Sequence, residues 1–119
     1  IGLTRTVHSV FFLKSAVFGS DFLLDLFTGF KYKEVHRLPP TLSVGDLVDL
    51  RLAPMGEEWF ATDALVFHPF VARKPIEKIF KEARKTGKPI EHVLIDLTAL
   101  NTRYERAPKT VKRKIYAGA

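Results

Sequence analysis

The sequence predicts an α+β domain, in which a small β-rich middle of three to five strands lies between an N-terminal helical segment and a C-terminal α-hairpin followed by a basic extended arm. Residues 30–70 alternate between polar and apolar side chains and contain turn signals, whereas residues 75–107 switch to the three- and four-residue spacing of amphipathic helices. The 119-residue length suits one domain, which we place at residues 1–106, with the arm at residues 107–119.

The N-terminal segment is rich in apolar residues. Residues 3–13 have the composition of a strand, with Thr, Val and Phe. After them we predict a helix with an N-cap at Ser20 or Asp21, which continues through Phe27 and stops at Gly29.

Residues 10–30 are about as long as a segment that spans a bilayer. Lys14, Asp21 and Asp25 interrupt the stretch, and three central charges are costly in lipid. We therefore expect two short buried helices, or a strand followed by a helix, and no membrane span.

The segment from Phe30 to Leu38 alternates as a strand with one basic face and ends at Pro39-Pro40. Its two sides carry Phe30, Tyr32, Glu34 and His36 on one, and Lys31, Lys33, Val35 and Arg37 on the other. A second alternating strand follows the turn at Gly45-Asp46. Its alternating apolar residues are Val48, Leu50 and Leu52. We expect Asp49 on its exposed side and one or two more strands in residues 55–70.

Two helices are predicted next. The first has Pro75 at its start and stops at Gly87, and the second starts at Pro89 and ends at Ala107-Pro108. Their apolar stripes are Ile76, Ile79, Phe80 and Ala83 in the first, and Ile90, Val93, Leu94, Leu97, Leu100 and Tyr104 in the second. The short loop predicts antiparallel neighbours.

The sequence "IEKIFKEARKTGKPIEHVLIDLTAL", residues 76–100, resembles the joint between two pentatricopeptide repeats. No repeat of that period occurs earlier in the chain, and a single unit cannot form a repeat array. We therefore transfer no base-reading residues from this resemblance.

Positive charge is concentrated at the C-terminus. The formal net charge is +6, and residues 101–119 contain six basic residues and one acidic residue, so residues 1–100 are nearly neutral. A concentrated cationic tail is typical of contact with phosphate, in nucleic acid or at an anionic membrane surface. A solvated tail that only aids solubility is the alternative.

We predict that this tail binds nucleic acid and that the basic strand face extends the surface. Arginine forks onto phosphate, lysine acts as a mobile point charge, and an aromatic ring can stack on a base. The predicted nucleic-acid-binding residues are Arg103, Arg106, Lys109, Lys112, Arg113, Lys114 and Tyr116 in the tail, and Lys31, Lys33 and Arg37 in the strand.

Motifs for catalysis or metal binding are missing from the sequence. It has no cysteine, and its four histidines form no zinc motif. On the predicted helix Asp21 and Asp25 would share a face, but favourable interaction with the helix dipole explains an N-terminal acid. We predict no enzyme, no metal and no cofactor; a hydrolase or nuclease that uses Asp21, Asp25 or His36 is the weakest alternative.

The leading functional hypothesis is a non-catalytic, RNA-binding structural component of a ribonucleoprotein, most simply a ribosomal protein of the cytosol or of an organelle. Its partner would be the RNA phosphate backbone, rRNA in a ribosome, bound with little base specificity. We expect an intracellular location, cytoplasmic or mitochondrial. Removal of residues 107–119 should weaken RNA binding and leave the fold intact.

The alternative is an accessory subunit of a large, membrane-associated protein complex. Six phenylalanines within twenty residues exceed what one small core needs, and an exposed excess marks a protein interface. These residues are Phe11, Phe12, Phe18, Phe22, Phe27 and Phe30. Neighbouring protein subunits would then bind this region.

Overall fold

The computed structural model describes residues 6–15, 21–108, 112 and 115–116, apart from the side chains of residues 63–65. Its strands are β1 (Val7–Lys14), β2 (Phe22–Asp25), β3 (Lys31–Lys33), β4 (Leu47–Met55) and β5 (Glu58–His68). A short 3-10 turn (Phe70–Ala72) leads into helices α1 (Arg73–Thr86) and α2 (Ile90–Arg106).

The five strands form one antiparallel sheet in the order β3-β2-β1-β4-β5. Beyond β3, His36 makes a parallel bridge to Phe60 of β5. The His36 N–H donates to the Trp59 carbonyl at 2.9 Å, and the Ala61 N–H donates to the His36 carbonyl at 2.8 Å. Because this bridge joins the two edges, the sheet curls into a partly closed barrel. A five-stranded Greek-key barrel of this connectivity is of the OB type.

Alternate residues of the strands fill the barrel interior. The buried residues of this cluster are Phe11, Leu13, Leu23, Tyr32, Val48, Leu50 and Leu52. The Tyr32 ring packs edge-on against Phe11 and Trp59, with centroids 5.7 and 5.0 Å away. Burial of the alternating apolar residues of β4 confirms the sequence prediction.

The helices cover the outer face of β1 and β4. Val10, Phe12 and Leu47 pack there against the apolar stripes of both helices. The helix residues of this second cluster are Ile76, Phe80, Ala83, Val93, Leu94, Leu97 and Leu100. Since the middle of β1 is buried on both faces, its residues 10–13 are an unbroken apolar run instead of an alternating pattern.

The predicted N-terminal helical segment is wrong. Residues 22–25 form a strand that pairs with β1 on one side and with β3 on the other. Apolar spacing over so short a segment does not distinguish helix from strand, and here the pairing with two neighbours decides. Asp25 Oδ1 accepts the Phe27 N–H at 2.8 Å, which stabilises the turn that follows β2. The proposed N-cap Ser20 lies outside the described residues.

The predicted C-terminal α-hairpin and extended arm are also wrong. Both helices pack their stripes into one cluster with the sheet, so they are the covering layer of the barrel and not a separate hairpin. Of residues 107–119, Lys112, Ile115 and Tyr116 have helical backbone, and Tyr116 is only 2% exposed. Part of this segment therefore packs into the core.

The two helices themselves begin and end near the predicted residues. α1 begins two residues before Pro75 and is followed by Gly87, whose φ of 74° a residue with a side chain adopts only with strain. α2 follows Pro89 and ends before Ala107. In the part of the chain that the structure describes, neither helix has the length and hydropathy needed to cross a bilayer.

Candidate nucleic-acid interface

The outer surface of β2 and β3 is basic and aromatic. Strand pairing places Lys14, Phe22 and Lys33 in one row across β1, β2 and β3, on the same side of the sheet as Lys31. We call these four residues the β2–β3 face. It lies outside the surface that the helix stripes cover.

Lys31 and Lys33 are exposed, while Lys14 and Phe22 are half-buried. The Lys31 Nζ lies 5.3 Å from the centroid of the Phe22 ring. Tyr32 points to the opposite, buried side, which confirms the predicted alternation at these three residues of β3. The β2–β3 face therefore combines cations with an apolar ring, the groups that bind phosphates and stack on unpaired bases.

Arg37 is not part of this face. Glu34 and Arg37 have φ values of 54° and 61°, so the chain leaves the pleated conformation after Lys33. The alternation predicted as far as Leu38 therefore fails, and Arg37 is an exposed residue of the connection to β4.

The described residues of the predicted tail site lie on α2 and after it. Arg103 and Arg106 are exposed on the last turn of α2, and the Lys112 Nζ lies 4.7 Å from the ring centroid of Tyr104. Within the described residues, no hydrogen bond, ion pair or strand pairing links them to the β2–β3 face. The predicted site residues Lys109, Arg113 and Lys114 lie outside those residues.

Tyr116 is a core residue and is not available to stack on a base, contrary to the sequence prediction. Its hydroxyl donates to Asn101 Oδ1 at 3.2 Å, and His68 Nδ1 lies 2.7 Å from the Tyr116 hydroxyl oxygen. Because the hydroxyl has one hydrogen, His68 is the donor in that second bond. Asn101 Nδ2 donates onward to Glu105 at 3.2 Å, so one directed chain joins β5, α2 and Tyr116.

Burial is the main cause of the shifted pKa values of His68 and Tyr116 in this hydrogen-bond chain. It lowers the pKa of His68 to about 4, against the opposing effect of the Asp49 carboxylate. Burial, with smaller contributions from Glu105 and Tyr104, raises the pKa of Tyr116 well above its usual range. Both residues are therefore neutral near pH 7.

Two of the residues considered for catalysis, Asp25 and His36, make contacts that stabilise the fold. Asp25 is buried on a strand, where Oδ1 accepts the Ser9 hydroxyl at 2.7 Å, and it shares no helical face with the exposed Asp21. His36 stacks on Phe60 and pairs with Glu58 at 3.3 Å. Within the described residues, no three His, Asp or Glu side chains are grouped to hold a metal.

A second buried carboxylate lies on β4 beside His8. Asp49, expected on an exposed side, is only 6% exposed, and its Oδ1 lies 2.5 Å from His8 Nε2. His8 lines a cavity of about 380 Å³ together with Arg51 and residues of α2. The Thr98 hydroxyl in that cavity donates to the Leu94 carbonyl, so His8 does not activate it.

Four lysines that the sequence analysis did not single out as a group lie on α1. Lys74, Lys78, Lys81 and Lys85 follow the spacing i, i+4, i+7, i+11 and are all exposed. We call them the α1 lysine ridge. The net charge of residues 1–100 does not reveal the ridge, because acidic residues elsewhere in that range balance its positive charge. The helical spacing of the lysines could have revealed it.

The described phenylalanines of the N-terminal segment do not form one exposed surface. Phe11 and Phe12 are buried in the two clusters, and Phe27 packs against Phe80 with centroids 5.3 Å apart. Phe30 is 56% exposed, whereas Phe18 lies outside the described residues. The fold has two hydrophobic clusters, whereas the sequence argument assumed one core. Phe11, Phe12 and Phe27 pack in or against these two clusters.

Comparison with known proteins suggests no function, so a function has to be inferred from the residues described above. No family model matches the chain, and neither a curated protein nor a solved structure shows significant similarity to it.

Proposed function

We propose that this protein is a non-catalytic RNA-binding module that holds a single-stranded segment on the β2–β3 face. The observation that carries the proposal is the pair of exposed lysines on β3 beside the Phe22 ring. In OB-type barrels the surface of strands 2 and 3 is the one that binds oligonucleotides.

The arrangement favours a single strand over a duplex. Phe22 offers a flat apolar surface only to a base that is not already stacked in a helix. Lys31 and Lys33, two positions apart on the same side of β3, supply point charges for consecutive phosphates. We expect affinity from charge and stacking and little base specificity. A ribonucleoprotein, such as a ribosome, remains the setting that we propose.

Replacing the two lysines tests this assignment. In Lys31→Gln/Lys33→Gln, two phosphate contacts are lost, so binding of an oligouridylate should weaken about tenfold at about 0.15 M salt, and the salt slope should fall by about 1.4. Fluorescence anisotropy over a salt series measures both. Arg51→Glu, on β4, changes the net charge equally and should bind as the wild type does. Binding by the double variant within twofold of wild type would refute the assignment.

Phe22→Leu separates stacking from charge. The leucine keeps apolar contact with the sheet but offers no ring, so affinity should fall by about 1–3 kcal/mol per stacked base with an unchanged salt slope. A fall in the slope instead would mean that Phe22 acts only by orienting Lys31.

A second candidate function, contact with another protein, rests on a different surface. Phe67, Phe70 and Val71 are 39%, 66% and 49% exposed at the junction between β5 and α1. Exposed apolar residues that lie together mark protein interfaces. Sedimentation of the isolated chain discriminates, since this candidate expects self-association or aggregation without RNA affinity.

A further inference from the structure

The α1 lysine ridge places four cations along the exposed side of α1, with Glu77 and Glu82 beside it. It lies opposite the buried stripe of Ile76, Phe80 and Ala83. In the described part of the chain, no carboxylate oxygen lies within 4.0 Å of any of its four ammonium groups. The nearby acid Glu77 pairs instead with Arg73, at 3.8 Å.

The four lysines of the ridge repel one another, and Glu77 and Glu82, which lie three or four residues from them, offset only part of this repulsion. Two pairs of the ridge, Lys74 with Lys78 and Lys81 with Lys85, are four residues apart, and each like-charge pair costs about 0.2–0.5 kcal/mol. In all, α1 has six basic residues and two acidic ones. A bound polyanion would offset the repulsion that the two acids leave.

Helix α1, which carries the ridge, is held beside the β2–β3 face. The Arg73 guanidinium lies 4.3 Å from the ring centroid of Phe12, which is in the same cross-strand row as Lys31. At the other end of α1, Arg84 donates to the Phe27 carbonyl in the turn that follows β2. Both ends of α1 are therefore fixed to elements that border the β2–β3 face.

We propose that the α1 lysine ridge continues the RNA path: the phosphate backbone of the strand held on the β2–β3 face runs along α1. This inference rests on the proposed function and adds a second contact surface to it. The ridge spans about 17 Å along the helix axis. It presents ammonium groups without an aromatic ring, so it contacts backbone and not bases.

Oligonucleotides of two lengths test the ridge. We would measure the anisotropy of labelled oligouridylates of about 5 and about 20 nucleotides, lengths that bracket a single OB-type site and one that is extended. The variants are Lys78→Gln/Lys81→Gln and, as a control of equal charge change on the barrel, Arg51→Glu. A thermal melt of each variant verifies that the fold is retained, as expected for exposed side chains.

The ridge variant should bind the long oligonucleotide about tenfold more weakly at about 0.15 M salt, with a salt slope lower by about 1.4. It should bind the short one within twofold of wild type, and Arg51→Glu should match wild type with both. Equal losses with both lengths would overturn the inference, because the ridge would then not be an extension of the site.

Two other outcomes also overturn it. If the ridge variant binds the long oligonucleotide normally while Lys31→Gln/Lys33→Gln does not, the ridge is not part of the path and the proposed function survives. If the wild type binds phosphatidylserine vesicles through the ridge and no oligonucleotide, the partner is an anionic bilayer and the proposed function fails too.

Discussion

Replacing Tyr116 with alanine is expected to lower the free energy of unfolding by about 3–5 kcal/mol, the usual cost of removing a large buried aromatic side chain. The ring is 2% exposed and packs in the cluster beneath the two helices. The substitution also leaves the buried His68 Nδ1 and Asn101 Oδ1 without their shared partner. Thermal or urea denaturation of the full chain measures the change.

Tyr116→Phe is the matched control, because it keeps the ring and removes only the hydroxyl. It should cost about 1–3 kcal/mol, the penalty for buried polar groups left without partners. The sequence alone predicted that removal of residues 107–119 leaves the fold intact. A Tyr116→Ala variant as stable as the wild type would agree with that prediction and would contradict a role of Tyr116 in the core.

Acidification is expected to destabilise the fold through His68. In the unfolded chain its pKa is near 6.5 and in the fold about 4, so between these values the unfolded state binds more protons. Stability therefore falls as pH decreases from about 6.5 to about 4, by about 3 kcal/mol, and this contribution is constant below both values. Urea denaturation over this pH range measures it.

His68→Gln isolates the contribution. The glutamine does not titrate, so its stability should depend less on pH over this range, although it should be less stable than wild type near pH 7 because the hydrogen-bond chain is altered. Parallel pH profiles for the variant and the wild type would show that another group is responsible.

The sequence predicts the helices well because their signals are local. Gly87, Pro89 and the apolar stripe of α1 fix each element within its own segment. The conformation of residues 22–25 depends on two neighbouring strands, and the closure at His36 depends on residues more than twenty positions away. The local spacing of apolar residues carries no information on either contact. The wrongly predicted N-terminal helix and the failure to predict the barrel therefore have the same cause.

The candidate site was predictable only in part, for a related reason. Alternation places Lys31 and Lys33 on one side of a strand without further information. Tyr116 stands among basic residues in the sequence, and only the fold shows that it is buried against His68. The position of α1 beside the β2–β3 face likewise depends on long-range contacts such as that between Arg84 and Phe27.

Backbone amide chemical shifts during titration with an oligouridylate test the central proposal most directly, because they locate the ligand without a substitution. We predict the largest changes at residues 22–24 and 31–33, with smaller changes along α1. Changes confined to residues 66–72, or no change at an oligonucleotide concentration that saturates OB-type sites, would contradict the assignment of the β2–β3 face as the RNA-binding surface.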